Sequence, residues 1–137
     1  MNRIVFTCGD INGIGPEIAL KGINKISSRE RKTQLILIIP ENVFTSTKKI
    51  IKPTFKYHLN NSIKSIISSE VPVIILPIKS FEQKIGKPTI SSGGAAYLAL
   101  KTAFKLLKKK ITDAAVTAPV SKTALNLAGV KYPGQTE

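Results

Sequence analysis

Residues 3–17 read RIVFTCGDINGIGPE and hold a strand, a glycine turn and the start of a helix. The first six of these residues predict a short buried strand, because they are mostly apolar and a Gly-Asp pair ends them. Pro16 suits the first position of a helix, and the acid at Glu17 suits the positive end of the helix dipole. The stretch therefore predicts a β–turn–α unit whose helix runs to Ile26.

The rest of the chain repeats this alternation. Further strands are predicted at 34–39, 54–59, 72–78 and 114–117, and further helices at 41–52, 95–109 and 121–127. Residues 80–92 predict a loop, and residues 60–70 a polar connection to which no structure is assigned. Strands that alternate with helices are typical of an α/β fold with a mostly parallel sheet flanked by helices.

The composition is that of one globular domain with a strong positive charge. The 137 residues are 42% hydrophobic, which is too apolar for general disorder. The net charge is +13, but only three of the 21 cations are arginine. This shortage argues against base reading and bidentate phosphate binding. We therefore expect no nucleic-acid partner, and a basic binding module remains the alternative from another functional class.

Single copies of cysteine and histidine exclude two kinds of site within this chain. Cys8 has no partner for a disulfide, and with His58 it cannot complete a zinc site. We expect Cys8 to be a buried apolar residue and His58 to be structural or at the surface. The apolar runs fall short of the roughly 18 residues of a membrane helix, and the N-terminus lacks a secretory signal. These features predict a cytoplasmic protein with no membrane partner.

Three polar segments follow predicted strands or helices and are candidate binding loops, because ligands of α/β sheets gather beyond the carboxyl ends of strands. Residues 9–17 expose N–H groups at a helix start, but lack a dinucleotide or P-loop fingerprint. Asp10 capping a tight turn explains this segment equally well. Thr117 and Lys122 could bind an anion, although a capped helix with a solvated lysine is favoured. Residues 134–137 alone indicate only a polar loop. The lysines late in the long helix predict a solvated face: Lys101, Lys105, Lys108, Lys109 and Lys110.

Together, four segments resemble the 4-hydroxythreonine-4-phosphate dehydrogenase family. The family's Gly-Asp-Pro-Ala-Gly-Ile-Gly-Pro-Glu is similar to residues 9–17, and its Ser-Gly-x-Ala-Ala is similar to residues 92–96. Its Asp-Ala-x-Val-Thr-Ala-Pro-x-x-Lys resembles residues 113–122. Its Ala-Gly-x-x-x-x-Gly-His-Thr-Glu resembles residues 128–137, where Gln135 replaces the histidine. Four motifs in the family's order and spacing are far more specific than any one of them.

The resemblance implies an isopropylmalate-dehydrogenase-like fold and, for the complete protein, a homodimer. The implied reaction oxidises a small phosphorylated substrate, 4-hydroxythreonine 4-phosphate, with NAD or NADP and a divalent metal (Zn, Mg or Co). The product is a 3-oxo acid that decarboxylates to 3-amino-2-oxopropyl phosphate, in pyridoxal phosphate biosynthesis. Gln135 and Thr136 are the implied substrate-binding residues, and Asp10, Thr117 and Lys122 are weaker candidates.

Much of the family's site has no counterpart in this sequence. The three metal-binding histidines and most of the nicotinamide site of the family lie beyond the position that matches residue 137. We therefore interpret residues 1–137 as the N-terminal part of such a dehydrogenase, apparently truncated and inactive alone, with no catalytic residue or metal ligand identified. Glutamine at 135 keeps hydrogen bonding but cannot shuttle a proton at neutral pH. A sister dehydrogenase of 4-phospho-threonate or 4-phospho-erythronate remains the enzymatic alternative.

Overall fold

A computed structural model describes residues 2–131, in which a five-stranded parallel sheet carries helices on both faces. The elements follow the chain as β1 (Asn2–Thr7), α1 (Gly15–Arg29), β2 (Thr33–Pro40), α2 (Glu41–Ile50), β3 (Tyr57–Leu59), α3 (Ile63–Ser68), β4 (Val73–Ile78), α4 (Ile90–Lys108), β5 (Ala114–Thr117) and α5 (Lys122–Leu127). Every strand pair is parallel, which confirms the predicted α/β class and mostly parallel sheet.

The strands lie in the order β3-β4-β2-β1-β5, so β2 is central. All residues of β2 after Thr33 are buried, and β4 is buried from Val73 to Leu76. A strand covered on both faces by helices needs apolar side chains on both faces, which gives a continuous apolar run in the sequence. This is why the sequence predicted β2 and β4 to within a residue at each end.

The helices divide between the two faces of the sheet according to the direction of each crossover. Parallel crossovers are right-handed, so α1 and α2 share one face, while α3 and α4 share the other. Contacts agree with this division, since Phe44 of α2 packs edge-on against Tyr57 of β3 with ring centroids 5.5 Å apart. Helix α5 packs against α4. No helix among residues 2–131 is both long and apolar enough to cross a membrane.

The strand predicted at 54–59 is shorter in the structure and begins only at Tyr57. The preceding residues are held by α1 instead of by β4. The Asn24 side chain donates to the Lys52 carbonyl at 3.1 Å and accepts from the Thr54 N–H at 2.9 Å. These bonds keep residues 52–54 out of the sheet.

Two helix boundaries also differ from the prediction. The connection at 60–70 contains α3, which Ser62 caps by accepting from the Ser65 N–H at 3.2 Å. Helix α4 begins at Ile90, five residues before the predicted start at Ala95, so the loop predicted at 80–92 ends early. Thr89 and Ser92 form a reciprocal capping box that starts the helix, and the glycines that follow lie inside it.

Candidate functional site

The glycine turn after β1 is fastened to the loop that follows β5. Gly9 has a φ of 68°, and a side chain there would collide with the main chain of Ala118 and Pro119. The Asp10 N–H donates to the Pro119 carbonyl at 2.8 Å. Two of the quoted motifs, at 9–17 and 113–122, therefore meet at one corner of the carboxyl edge of the sheet.

Asp10 shapes this turn with its own side chain. Its carboxylate accepts from the Asn12 N–H at 3.1 Å, and its carbonyl accepts from the Gly13 N–H at 3.1 Å. This is the turn-capping role weighed from the sequence. The helix start beyond it carries Glu17 in its first turn. Two carboxylates beside the same helix start disfavour a dinucleotide pyrophosphate there.

Asn12 ties the turn to the distant loop before α4. Its side chain is buried, donates to the Lys87 carbonyl at 2.8 Å and to the Thr89 hydroxyl at 3.2 Å, and accepts from the Lys84 N–H at 2.8 Å. Its own carbonyl accepts from the Gly86 N–H at 2.7 Å. We call residues 9–15 together with residues 81–89 the Asn12 corner.

A second side chain of the loop reinforces the Asn12 corner. Gln83 donates to the Ile11 carbonyl at 2.9 Å and accepts from the Ser46 hydroxyl of α2 at 3.0 Å. A pocket of about 170 Å³ lies beside these bonds, and its lining includes Ile11, Ile50 and Ile85. Its isoleucine walls do not suit a phosphate group.

Cys8 lies beneath the turn and is fully buried, as predicted. Burial away from water raises the pKa of its thiol from 9.0 to about 12, and the nearby Asp10 carboxylate adds to the shift. The thiolate needed for nucleophilic chemistry is therefore scarce at neutral pH. The interpretation of Cys8 as a buried apolar residue is confirmed.

The other part of the candidate site follows β5. Ser121 caps α5 by accepting from the Ala124 N–H at 3.1 Å, which confirms the capped helix favoured from the sequence. Lys122 and Thr117 are both exposed. Gly93 lets α4 approach α5 closely, because a side chain at that position would collide with the Ala124 carbonyl. The motif at 92–96 thus meets the helix that follows the motif at 113–122.

The structure brings some of the predicted site residues to one edge and leaves others outside its range. Asp10 and Thr117 both follow or end adjacent strands, and Lys122 begins the next helix. No hydrogen bond or ion pair joins these three side chains to one another within residues 2–131. Gln135 and Thr136 lie outside the described residues.

Sequence reasoning missed two features of this edge. It took Asn12 only as a change within a turn, because its bonding partners lie 72 to 77 residues away in the sequence. It also gave no role to Thr7, which pairs with Thr117 across β1 and β5. The Thr7 hydroxyl is buried and has no hydrogen-bond partner within residues 2–131.

The remaining predictions for single residues hold. His58 is exposed on β3, and the late lysines of α4 are exposed as well. Between residues 2 and 131, no three side chains of histidine, cysteine, aspartate or glutamate lie close enough to share a metal ion. These residues do not fit a metal site of their own, and we derive no chemical step through one.

A comparison with protein families identifies the group to which this fold and these motifs correspond. The family model of pyridoxal phosphate biosynthetic protein PdxA matches residues 18–137. The chain belongs to the PdxA family. The resemblance inferred from the four motifs is thereby confirmed, although the match begins just after the glycine turn at 9–17.

Individual members of the PdxA family align along nearly the whole chain. A 4-hydroxythreonine-4-phosphate dehydrogenase of Geobacter metallireducens is 31% identical over 98% of the chain, and one of Zymomonas mobilis is 33% identical over 100%. The chain spans 40% of the length of each of these relatives.

A solved structure shows the same relation within the PdxA family. The 4-hydroxythreonine-4-phosphate dehydrogenase of Burkholderia phymatum is 26% identical and superposes with a TM-score of 0.80. The superposition covers 100% of this chain and 42% of that one. The five-stranded unit described above is therefore similar to part of a larger PdxA-family structure.

Proposed function

We propose that residues 1–137 form the N-terminal part of an NAD(P)-dependent 4-hydroxythreonine-4-phosphate dehydrogenase that serves pyridoxal phosphate biosynthesis. The proposed reaction oxidises the secondary alcohol of the substrate: a hydride passes to NAD or NADP, and the hydroxyl proton is released. The 3-oxo acid then loses carbon dioxide to give 3-amino-2-oxopropyl phosphate. The complete protein would work in the cytoplasm as a homodimer.

The observation that carries this proposal is the meeting of family motifs at one end of the sheet. The Asp10 N–H and the Pro119 carbonyl join the motifs at 9–17 and 113–122, and Gly93 brings a third motif against α5. Ligands of α/β sheets bind at this end. The names of the aligned dehydrogenases, which act on 4-hydroxythreonine 4-phosphate, supply the substrate.

Within this site we assign substrate binding to Gln135 and Thr136, the pair in the fourth motif. Lys122 is exposed at the start of α5, where its ammonium group suits a phosphate. Thr117 offers a hydroxyl at the end of β5. Asp10 is the weakest candidate, because its carboxylate already accepts the Asn12 N–H. A divalent metal, Zn, Mg or Co, would bind only in the complete protein.

One relative favours a second substrate. A protein of Oceanobacillus iheyensis, named provisionally as a D-threonate 4-phosphate dehydrogenase, is 29% identical over 98% of this chain. Its substrate carries a hydroxyl where 4-hydroxythreonine 4-phosphate carries an amine. The replacement of the family's histidine by Gln135 keeps this sister reaction as the second candidate.

A chimera tests both candidates. Residues 1–137 replace the matching part of the Geobacter metallireducens relative, and NADH formation is measured with each substrate, NAD and a divalent metal. We expect turnover by the chimera with 4-hydroxythreonine 4-phosphate, and no turnover by the isolated 137-residue chain. A higher kcat/KM with D-threonate 4-phosphate would select the second candidate, and turnover by the isolated chain would refute its predicted inactivity.

Two matched threonine substitutions test the assigned site in the same chimera. Thr136→Val removes a hydroxyl from the proposed substrate-binding pair and should lower kcat/KM about tenfold or more, since lost substrate hydrogen bonds are costly in a closed site. Thr123→Val changes an exposed residue of α5 and should leave kcat/KM unchanged. Equal effects of the two substitutions would contradict the assignment of Thr136.

A further inference from the structure

Strand β5 is exposed in a way that a parallel strand rarely is. All four of its residues are exposed, and Val116 keeps 46% of its surface accessible. The strand pairs only with β1, so alternate N–H and C=O groups along its other side have no strand partner among residues 2–131. Parallel sheets are normally covered on both faces, which makes this bare strand an incomplete part of the fold.

The opposite edge of the sheet does not share this character. Strand β3 is only three residues long, and Lys56 and His58 put polar side chains at that edge. Its Tyr57 packs edge-on against Phe44 and Phe55, with ring centroids 5.5 and 5.8 Å apart. Short strands and charged side chains are the usual protection of a sheet edge. Only the β5 edge lacks such protection among the described residues.

Apolar side chains are also exposed on the helices that follow and cover this end of the sheet. Helix α4 packs against β5 and exposes Phe104 by 65% and Tyr97 by 40%, seven residues apart on one helix face. Leu127 of α5 is exposed by 50%. Tyr97 lines a cavity of about 430 Å³ together with residues 128–131. Large exposed apolar side chains near an open edge indicate an interaction surface.

The share of the family that this chain covers indicates what occupies that surface. The described unit superposes fully on 42% of the Burkholderia phymatum structure, so a larger body of polypeptide accompanies this unit in that protein. We propose that β5 is the docking strand for the polypeptide that corresponds to the unmatched three fifths of the family chain. That polypeptide adds a strand to the free edge of β5 and covers Val116.

The test compares hydrogen exchange at residues 114–117 in the isolated chain and in the chimera with the Geobacter metallireducens relative. Exchange at residues 4–7 of β1 reports the fold of the unit in both proteins. We expect β1 to be protected in both, and the β5 amides that have no partner in the isolated chain to exchange at least about a hundredfold more slowly in the chimera. This readout is independent of NADH formation.

A matched pair of edge substitutions sharpens the test. Val116→Lys places a charge in the proposed interface and should remove the added protection of β5 in the chimera. Leu59→Lys changes an exposed residue on the β3 edge and should leave that protection intact. Unprotected β5 amides beside a protected β1, or a chimera in which β1 also fails to fold, would overturn the proposal. Protection of β5 in the isolated chain, with dimerisation that Val116→Lys abolishes, would assign the surface to a second copy instead.

Discussion

At the Asn12 corner, one buried side chain makes three hydrogen bonds to a loop more than 70 residues away. At β5, which is one strand removed from the turn, all four residues are exposed. Both regions carry motifs of the same family, and the Asp10 N–H bonds them together at the Pro119 carbonyl. Their conservation as motifs therefore has two different physical bases.

The Asn12 corner is complete within residues 2–131, because its polar groups find partners in the turn, the loop and α2. Strand β5 has a backbone partner on one side only. A substitution at the corner removes interactions that already exist in this chain, whereas a substitution in β5 removes almost none. The stability of the isolated chain should therefore respond strongly to the first and weakly to the second.

The largest effect is expected for Asn12→Ala. The substitution leaves the Lys84 N–H and the Lys87 carbonyl without their partner at a partly buried site, which should lower the free energy of unfolding by about 2–3 kcal/mol. Urea unfolding of the 137-residue chain measures this loss. Asn24→Ala is the control, since Asn24 bonds two main-chain groups at a more exposed site and should cost about 1 kcal/mol or less. Equal losses would mean that the Asn12 corner is no more than a surface loop.

A pair of valines in adjacent strands gives the next largest effect. Val5 of β1 is fully buried, and Val5→Ala should cost about 2 kcal/mol through lost burial and the cavity that remains. Val116→Ala, in β5, should change the free energy of unfolding by less than about 0.5 kcal/mol, as at most surface positions. Thermal or urea unfolding of both variants decides. A comparable loss for Val116→Ala would show that β5 is already covered in the isolated chain.

The smallest effect concerns the pH dependence of stability through Cys8. Because the folded chain raises the pKa of the thiol from 9.0 to about 12, the folded state holds this proton more tightly than the unfolded state. The contribution is fully present below pH 9 and is lost as the pH rises from 9 toward 12, by about 1.4 kcal/mol per pH unit. Unfolding of the chain and of Cys8→Ala at pH 8 and pH 10 measures it. Parallel pH profiles would contradict a buried neutral thiol.

The sequence was sufficient for the strands at the centre of the sheet and for β5. β2 and β4 are continuous apolar runs with turn residues at their ends, and such runs reflect burial directly. The start of α4 was wrong because Gly93 and Gly94 suggested a break in the helix. Their presence inside it follows from the close packing of α5 on Gly93, which is a tertiary contact without a local signal.

The candidate site was less accessible to sequence reasoning. The turn at Asp10 and the cap at Ser121 were predicted because each depends on residues within three positions in the chain. The role of Asn12 was not, since its partners belong to a loop that the sequence leaves without pattern. Gln135 and Thr136 remain predictions.

The strand order also sets a timetable for biosynthesis. β1 is made first, but it pairs with β5 across more than 100 residues, and the Arg3 N–H reaches the Asp113 carboxylate over a separation of 110. A ribosome that adds about 5–20 residues per second needs roughly 4 to 15 s to extend the chain from the end of β2 to the start of β5. During that interval β1 and β2 are already able to pair, with one side of β1 open to chaperones and to neighbouring nascent chains.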